Sequence, residues 1–506
     1  MGLSRRDFIK ASAATGAALL VAKPSSVFGA TGPQAFPTSR TSRLFPGNST
    51  FVAHSDLHNH TLLSDGNVTP QQAFDLMRSV QLDAAALTDH AVLGKVLGHA
   101  CGSGDCTSFV GINEASWQEM AKVADANLAD GSFVAMRGFE WTTGTIGHVN
   151  VWFSEQWTDT MINLAQSPRG IKELLAILPS PGPELSGQVA PLLDELPESA
   201  TMTLFYEWLK SAPDRPVLGG GSDAIAGFNH PNEYGNFEAF RFVPELRDRM
   251  VSCEALNMDR DFLFWGMDKG EASPINACLN AGWRVGMLGV SDEHYDKWGP
   301  NRARGGLWVN ELTRAGVREA MEQRRMFATF EPGLRLDAAA NGVQMGQTVP
   351  HTSGPVRFQL DLDRGPSWYG RKLRLQILRP GETKPVIAYE EDIRLPAAAE
   401  RVVGVTVPVD IEDGTWALLR ITDPAQPADA WAPAEFQSAG RAIAYASPFF
   451  FVPGGSGAPA EVQGTNVARG AGTLAATGGD AGVAAAGVAA AVAALALRRL
   501  GHHHHS

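Results

Sequence analysis

Residues 54–66, HSDLHNHTLLSDG, place three histidines and two aspartates within thirteen positions. Laid out as a strand, His54, Asp56, His58 and His60 share one face, because side chains along a strand alternate with a period of two. That geometry nominates four ligand-type side chains and does not choose among them. A single histidine of this kind is ordinarily a hydrogen-bonded core or surface residue. Recurrence argues otherwise: later apolar segments end in further such groups. They are Asp65 in the following loop, His90 in LTDH, Glu140 in GFEW, His148 in GHVN, His230 in FNHP, and Asp292 with His294 in SDEH. Strand ends on one face of a parallel barrel converge, so scattered positions become one site.

Around these blocks, strand-like runs such as LDAAALTDH, GSFVAMRGFEW, GHVNVWF, MVSCEALNM and WRVGMLGVSDEH alternate with helical stretches such as TPQQAFDLMRSV, ASWQEMAKVADANL and GVREAMEQRRM. The alternation predicts an α/β layer or barrel built on parallel sheet over residues 51–332. Residues 158–216 interrupt it with Pro-rich loops and two apolar helices, and read as an insertion or lid. After EPGLRLDAAANG the helical pattern stops. Alternating strands broken by Gly, Pro and Asp turns then predict a small all-β sandwich over residues 333–453. Residues 31–50, rich in Pro, Ser and Thr, read as a linker, and residues 454–473 as a Gly/Ala/Pro spacer.

In this order, DLHNHTLLSDG, LTDH, GFEW, GHVN, NHP and SDEH resemble the polymerase and histidinol phosphatase (PHP) superfamily of metal-dependent hydrolases over about Phe51 to Phe330. The resemblance implies a distorted (β/α)7 barrel. The strands that follow, with RRMFATFEPGLRL before them, resemble a secreted, carbaryl-hydrolase-like branch. Carried over residue by residue, the resemblance implies two to three divalent ions. One would take His58, His60, Glu140 and Asp292; a second would share Glu140 and add His148 and His230; a third would take Asp65, His90 and His294. Imidazole and carboxylate without thiolate suit Zn, Mn or Fe. Glu293 departs from the family pattern, which often has a small residue there, and stands as an acceptor behind the ligands or an extra charge at the rim. His54 and Asp56 read as structural residues or as partners behind the ligands, and His99 and His351 as loop residues. Arg302 and Arg304 in GPNRARGG follow the last ligands, where a guanidinium can hold a phosphate or carboxylate through two hydrogen bonds. With Glu140 and Asp292 they make up the candidate catalytic set.

The chain has 506 residues, 44% hydrophobic and 19% charged, with a formal net charge of -12. Affinity for a nucleic-acid backbone comes mainly from clustered Lys and Arg, and no basic tract is present, so a nucleic-acid polymer is not the expected partner. A small anionic substrate remains compatible, since metal ions can dominate a pocket whatever the net charge. Residues 1–30 set Arg5 and Arg6 before an apolar run and SSVFGA, which resembles a twin-arginine export signal and implies the twin-arginine translocase as a partner. Residues 474–506 carry LAATG, an apolar run from Ala481 to Leu497, then Arg498 and Arg499. This resembles a sortase sorting signal and implies a sortase and the cell wall as partners. The run barely spans about 30 Å of hydrocarbon. The terminal GHHHHS is set aside from the metal argument. Cys101 and Cys106, or Cys253 and Cys278, could each form a disulfide in an exported protein.

These features lead to an exported metal-dependent phosphoesterase that uses a metal-bridging hydroxide to cleave a phosphomonoester or phosphodiester, held at the outer face by its C-terminus. Two alternatives stay open. One is a carbamate, carboxylic-ester or amide hydrolase with the same metals. The other is an inactive wall-displayed module whose sandwich holds glycan.

Overall fold

The computed structural model describes residues 39–92, 111–143, 146–159, 201–215, 219–299, 301–351, 353–395, 402–410 and 415–453. Within it β1 (Phe51–Asp56), β2 (Ala84–Leu87), β3 (His90–Ala91) and β4 (Val134–Thr143) pair in parallel, β1 on β2 and both β2 and β3 on β4. β5 (Gly147–Trp152) then runs antiparallel between β4 and β6 (Ile225–Asn229). Parallel pairing resumes through β7 (Met250–Asn257) to β9 (Gly286–Val290), with β8 (Arg260–Asp261) folded back on β7. β2, β7 and β9 are buried along their whole length, as strands covered on both faces are.

The fold is therefore mixed α/β with a large sheet, but the pairings do not describe the expected closed (β/α)7 barrel. Residues 144–146 between β4 and β5 are too few for the crossover that parallel pairing requires, so this pair forms antiparallel. β1 and β9, at the two ends of the run, are linked just beyond the strands by one isolated parallel bridge, Asn59 to Glu293.

The helices begin where their caps place them. α1 (Pro70–Ser79) has a capping box between Thr69 and Gln72 with proline at its first position, and buries Ala73, Phe74 and Met77. α2 (Glu114–Asn127) is capped by Asn113 and Ser116 and buries Trp117, Met120 and Ala124. α3 (Thr201–Lys210) falls in the expected insertion. It places Met202, Phe205, Tyr206, Trp208 and Leu209 in the main hydrophobic core, so this part is packed structure and not a loose cover. Residues 160–200 lie outside the described residues.

β10 (Arg304–Val309) pairs antiparallel with the other edge of β1, β11 (Met326–Thr329) with β10, and β20 (Arg441–Ala446) with β11. The same sheet continues through β19 (Trp416–Asp423) and β16 (Lys372–Arg379) to β17 (Val386–Arg394). A four-stranded sheet of β13 (Val343–Gln344), β12 (Arg335–Ala340), β15 (Ser353–Asp363) and β18 (Val403–Asp410) shares a core with it. β18 shows the period-two pattern clearly: Val405, Val407 and Val409 are buried and the residues between them exposed. Val52, Trp308 and Phe327 enter that core from the part of the chain before residue 333, so the two parts share a sheet and a core.

The later part of the expected linker is docked. Arg43 pairs with Asp361 at 3.2 Å and Asp363 at 2.8 Å, and Arg335 pairs with Asp361 at 3.0 Å while donating to the carbonyl of Ser39 at 2.6 Å. Cys253 and Cys278 are buried free thiols. Cys101, Cys106 and His99, residues 1–30, and the expected spacer and sorting signal at 454–506 lie outside the described residues. Among the described residues no helix is long and apolar enough to cross a membrane.

Candidate metal centre

His58 and His60 leave the end of β1 and are fully buried. The loop that carries them is closed by Gly66, where a Cβ would come within 2.6 Å of the His60 carbonyl. Asp89 fixes the same loop by accepting hydrogen bonds from the Thr61 N–H at 2.7 Å and the Ser64 hydroxyl at 2.7 Å. His90 follows β2 and Glu140 lies in β4, paired in register. His148 lies in β5, directly across from Asn229, and His230 follows β6. Asp292 and His294 follow β9. Asp292 has φ 48° and His230 φ 21°, left-handed backbone that costs an L-residue on the order of 1–3 kcal/mol. Such strain persists where packing fixes a side chain in place.

All nine candidate ligands come together. Four groups of His, Asp and Glu have ligand atoms within 4.8 Å of one another: His60, Asp65, His90 and His294; His58, His230 and Asp292; His58, His60 and Glu140; His90, Glu140 and His148. Glu140 is the hub. Its Oε1 lies 3.1 Å from His58 Nε2, 3.2 Å from His148 Nδ1 and 3.3 Å from His230 Nε2, and its Oε2 lies 2.5 Å from His90 Nδ1. Asp292 Oδ1 is 3.2 Å from His60 Nε2 and 3.3 Å from His58 Nε2. Asp65, at the partly exposed end, has Oδ1 3.3 Å from His294 Nε2 and Oδ2 3.5 Å from His90 Nε2.

Three partners, Glu254, Asn257 and Asn229, are absent from the sequence reading. Glu254 in β7 accepts a hydrogen bond from His58 Nδ1 at 2.7 Å and from the His230 N–H at 2.8 Å. Asn257 donates to Glu254 at 2.8 Å and to Asp292 at 3.2 Å, while Asn229 donates to Glu140 at 2.7 Å. The visible signal is one carboxylate inside the apolar run MVSCEALNM. Asp56 accepts the Ser291 N–H at 3.1 Å and so fixes the backbone that presents Asp292. His54 is buried, outside the four groups.

The two arginines are engaged elsewhere. Arg302 is partly exposed and its Nε lies 3.2 Å from Glu293, which is buried rather than at a rim. Arg304 is buried and donates to the carbonyl of Gly299 at 3.3 Å. Among the described residues no lysine or arginine forms an ion pair with any of the nine cluster residues. His351 lies on β14 (Thr348–His351), outside the four groups.

Charge in the cluster is carried by imidazole and carboxylate alone. Burial pushes the Glu140 carboxyl up, but His148, His58 and His90 outweigh it and hold it well below the carboxylate range. Asp292 is held low in the same way, chiefly by His58 and His60 against burial. Burial pushes His90 down, yet Glu140 and Asp65 raise it to about 10. His60 goes the other way, to about 3, because burial is joined by the nearby charge of His90.

The donor set fits divalent metal. It combines imidazole and carboxylate with no thiolate, and His60 Nδ1 and His230 Nδ1 are buried without a hydrogen-bond partner. Those fixed, deprotonatable donors are what a hard-to-borderline cation needs.

Comparison with known proteins adds the following. Residues 2–22 match the TAT (twin-arginine translocation) pathway signal sequence family, which supports export by the twin-arginine translocase. No curated protein matches the chain. Among solved structures, it is similar to a two-domain protein from Bacteroides vulgatus containing a predicted PHP-like metal-dependent phosphoesterase. The identity is 16% and the TM-score 0.36, over 82% of this chain and 99% of that one. A candidate metal-dependent phosphoesterase from Bifidobacterium adolescentis matches at 14% identity and TM-score 0.25, over 53% of this chain and 95% of that one. An amidohydrolase from Chromobacterium violaceum matches at 17% identity and TM-score 0.23, over 49% of this chain and 90% of that one. At such scores the function has to be read from the site itself.

Proposed function

We propose that the chain is an exported metal-dependent phosphoesterase. The observation that carries this reading is the gathering of six histidines with Asp65, Glu140 and Asp292 around one hub and without a fixed cation. In this reading one ion is held by His58, His60, Glu140 and Asp292, a second by Glu140, His148 and His230, and a third by Asp65, His90 and His294. Zn, Mn and Fe all suit these donors. When bound, such ions polarise the substrate's oxygens and bring a water toward ionisation at neutral pH.

The protein's own part is positioning. Glu140 ties the sets together, Glu254 fixes the tautomer and ring plane of His58, and Asn257 links Glu254 to Asp292. Three carboxylates offset only part of the charge of two to three divalent ions, and the net positive site favours a group whose negative charge spreads over several oxygens. A phosphoryl group meets that description.

A second reading, hydrolysis of an uncharged carbamate, carboxylic ester or amide, has its own support. Leu62, Tyr234 and Tyr295 are exposed large hydrophobics, and each follows a cluster histidine closely in sequence. Tyr234 stacks on His148 with ring centroids 4.5 Å apart. With Arg302 and Arg304 engaged elsewhere, the mouth is more apolar than a phosphate clamp requires. The deciding assay compares p-nitrophenyl phosphate, bis-p-nitrophenyl phosphate and naphthyl acetate on metal-loaded protein, with His90→Ala as the blank. Turnover of the phosphoesters that depends on His90 supports the first reading; turnover of naphthyl acetate alone replaces it with the second.

For location, residues 474–506 are read as a sortase signal that leaves the protein on the wall. Thr477→Ala should then move it from the wall fraction to membrane or medium, and an unchanged fractionation removes that part.

A further inference from the structure

A cavity of about 560 Å³ lies outside the cluster, between the turn at 259–265 and the segment at 426–441. That is within the roughly 300–1,000 Å³ common for small-molecule sites. Its walls pair Trp265 and Trp431, ring centroids 5.0 Å apart and planes at 77°, which makes an indole corner. The corner is held rigidly. Trp431 donates its N–H to the Asp261 carbonyl at 3.2 Å, and Arg260 and Lys269 sit 5.2 and 5.8 Å from the Trp265 ring centre. Trp265 Nε1 is buried without a partner. Arg260 is itself pinned by Glu233, at 2.5 Å.

The polar lining has a definite character. Asp259, Asp429, Arg260 and Arg441 line it, but Arg260 is already paired with Glu233 and Arg441 donates to the Asp259 carbonyl at 3.2 Å, so both guanidinium groups are engaged, and Gln426 adds a side chain that both donates and accepts. A net anion gains nothing there. An apolar ring would cover the Asp259 and Asp429 carboxylates without giving them a donor. A ring with hydroxyls, each needing a donor and an acceptor, and with an aliphatic face to lie on an indole, satisfies both halves of the lining.

We propose that this cavity is a binding site for a neutral glycosyl unit. None of the nine cluster residues lines it, and the proposal does not depend on which bond the metal centre cleaves. The test is calorimetric titration of the full chain with cellobiose, maltose and N,N′-diacetylchitobiose, with glucose 6-phosphate and glucuronate as charged comparators. At least one neutral disaccharide should bind with Kd in the millimolar range, about 1–10 mM. Trp431→Ala should weaken it about tenfold or more, and Gln426→Ala, which disturbs no buried indole, about threefold. Glu140→Ala should bind the same sugar unchanged, which separates this cavity from the metal centre. The proposal is overturned if no disaccharide binds below about 20 mM, if the charged comparators bind better, if both cavity variants bind normally, or if Glu140→Ala abolishes binding.

Discussion

Two buried clusters in this chain have similar carboxylates and opposite solutions to their charge. On β15, Asp361 and Asp363 are met by the guanidinium groups of Arg43 and Arg335, permanent cations within 3.5 Å. Around Glu140, the ion-pair partners of the carboxylates among the described residues are imidazoles. A guanidinium cannot leave its carboxylate or give up its proton, so the first cluster is complete in itself and acts as a staple. An imidazole can be neutral, and a neutral imidazole next to a carboxylate is a ligand set. Burial is common to both; what differs is whether the chain supplies the cation.

The comparison can be broken most easily at Glu140. Glu140→Ala should lower metal-dependent turnover by at least about a thousandfold, roughly 4 kcal/mol of transition-state stabilisation. His351→Ala, far out on β14, should leave kcat/KM unchanged. Equal activity in Glu140→Ala and the parent would remove Glu140 as the hub.

Arg335→Met should cost about 3–5 kcal/mol of folding stability, because it leaves buried Asp361 with less compensation. Metal content should not change in the folded protein. Denaturant unfolding together with elemental analysis checks both halves, and a loss of metal without a loss of stability would reverse the two roles.

Glu254→Gln should reduce metal affinity by about 10–100-fold, since a group that orients a ligand commonly contributes that much. Competition with a chelator of known affinity measures it. An unchanged affinity would mean that His58 is held by its other neighbours alone.

The smallest effects come from pH. His90, raised to about 10 by Glu140 and Asp65 against burial, carries a proton at pH 7 in metal-free protein. Zn²⁺ added in weak buffer at pH 7 should therefore release at least about one proton per chain, read by an indicator dye. Asp337 behaves differently: burial raises it to about 7 despite hydrogen bonds from Ser42 and Gln344. A carboxyl raised in the folded state favours folding through its neutral form, so its contribution is full below about pH 4 and is lost as pH rises through about 7. Asp337→Asn should thus match the parent in Tm at about pH 4 and gain on it by about pH 8. A constant difference across that range would contradict the shift.

How much of this was legible in the sequence depends on how local the cause is. The nearness of the nine cluster residues follows from short blocks, each visible by itself: HNH, SDG, TDH, FEW, GHV, NHP and DEH. α1 and α2 were legible for the same reason, as the helical stretches TPQQAFDLMRSV and ASWQEMAKVADANL, while their caps emerge from the structure. Glu254 was not, because a lone carboxylate in MVSCEALNM has no local pattern and gains its meaning only from His58, 196 positions away. The docked segment at 39–50 was also hidden. Its Pro, Ser and Thr content reads as linker, while its partner Asp361 lies 318 positions on from Arg43. The antiparallel β5 was legible in principle, since three residues cannot make a crossover. The alternation of strand and helix drew attention away from that short connection.

The central claim is that the Glu140 cluster draws its cation from outside the chain. It is tested most directly by elemental analysis of protein lacking the terminal histidine run, loaded with Zn²⁺ or Mn²⁺ and freed of excess. The account predicts two to three ions per chain in the parent, with a clear fall in Glu140→Ala and none in His351→Ala. Fewer than one ion per chain in the parent, or the same content in all three proteins, would contradict it.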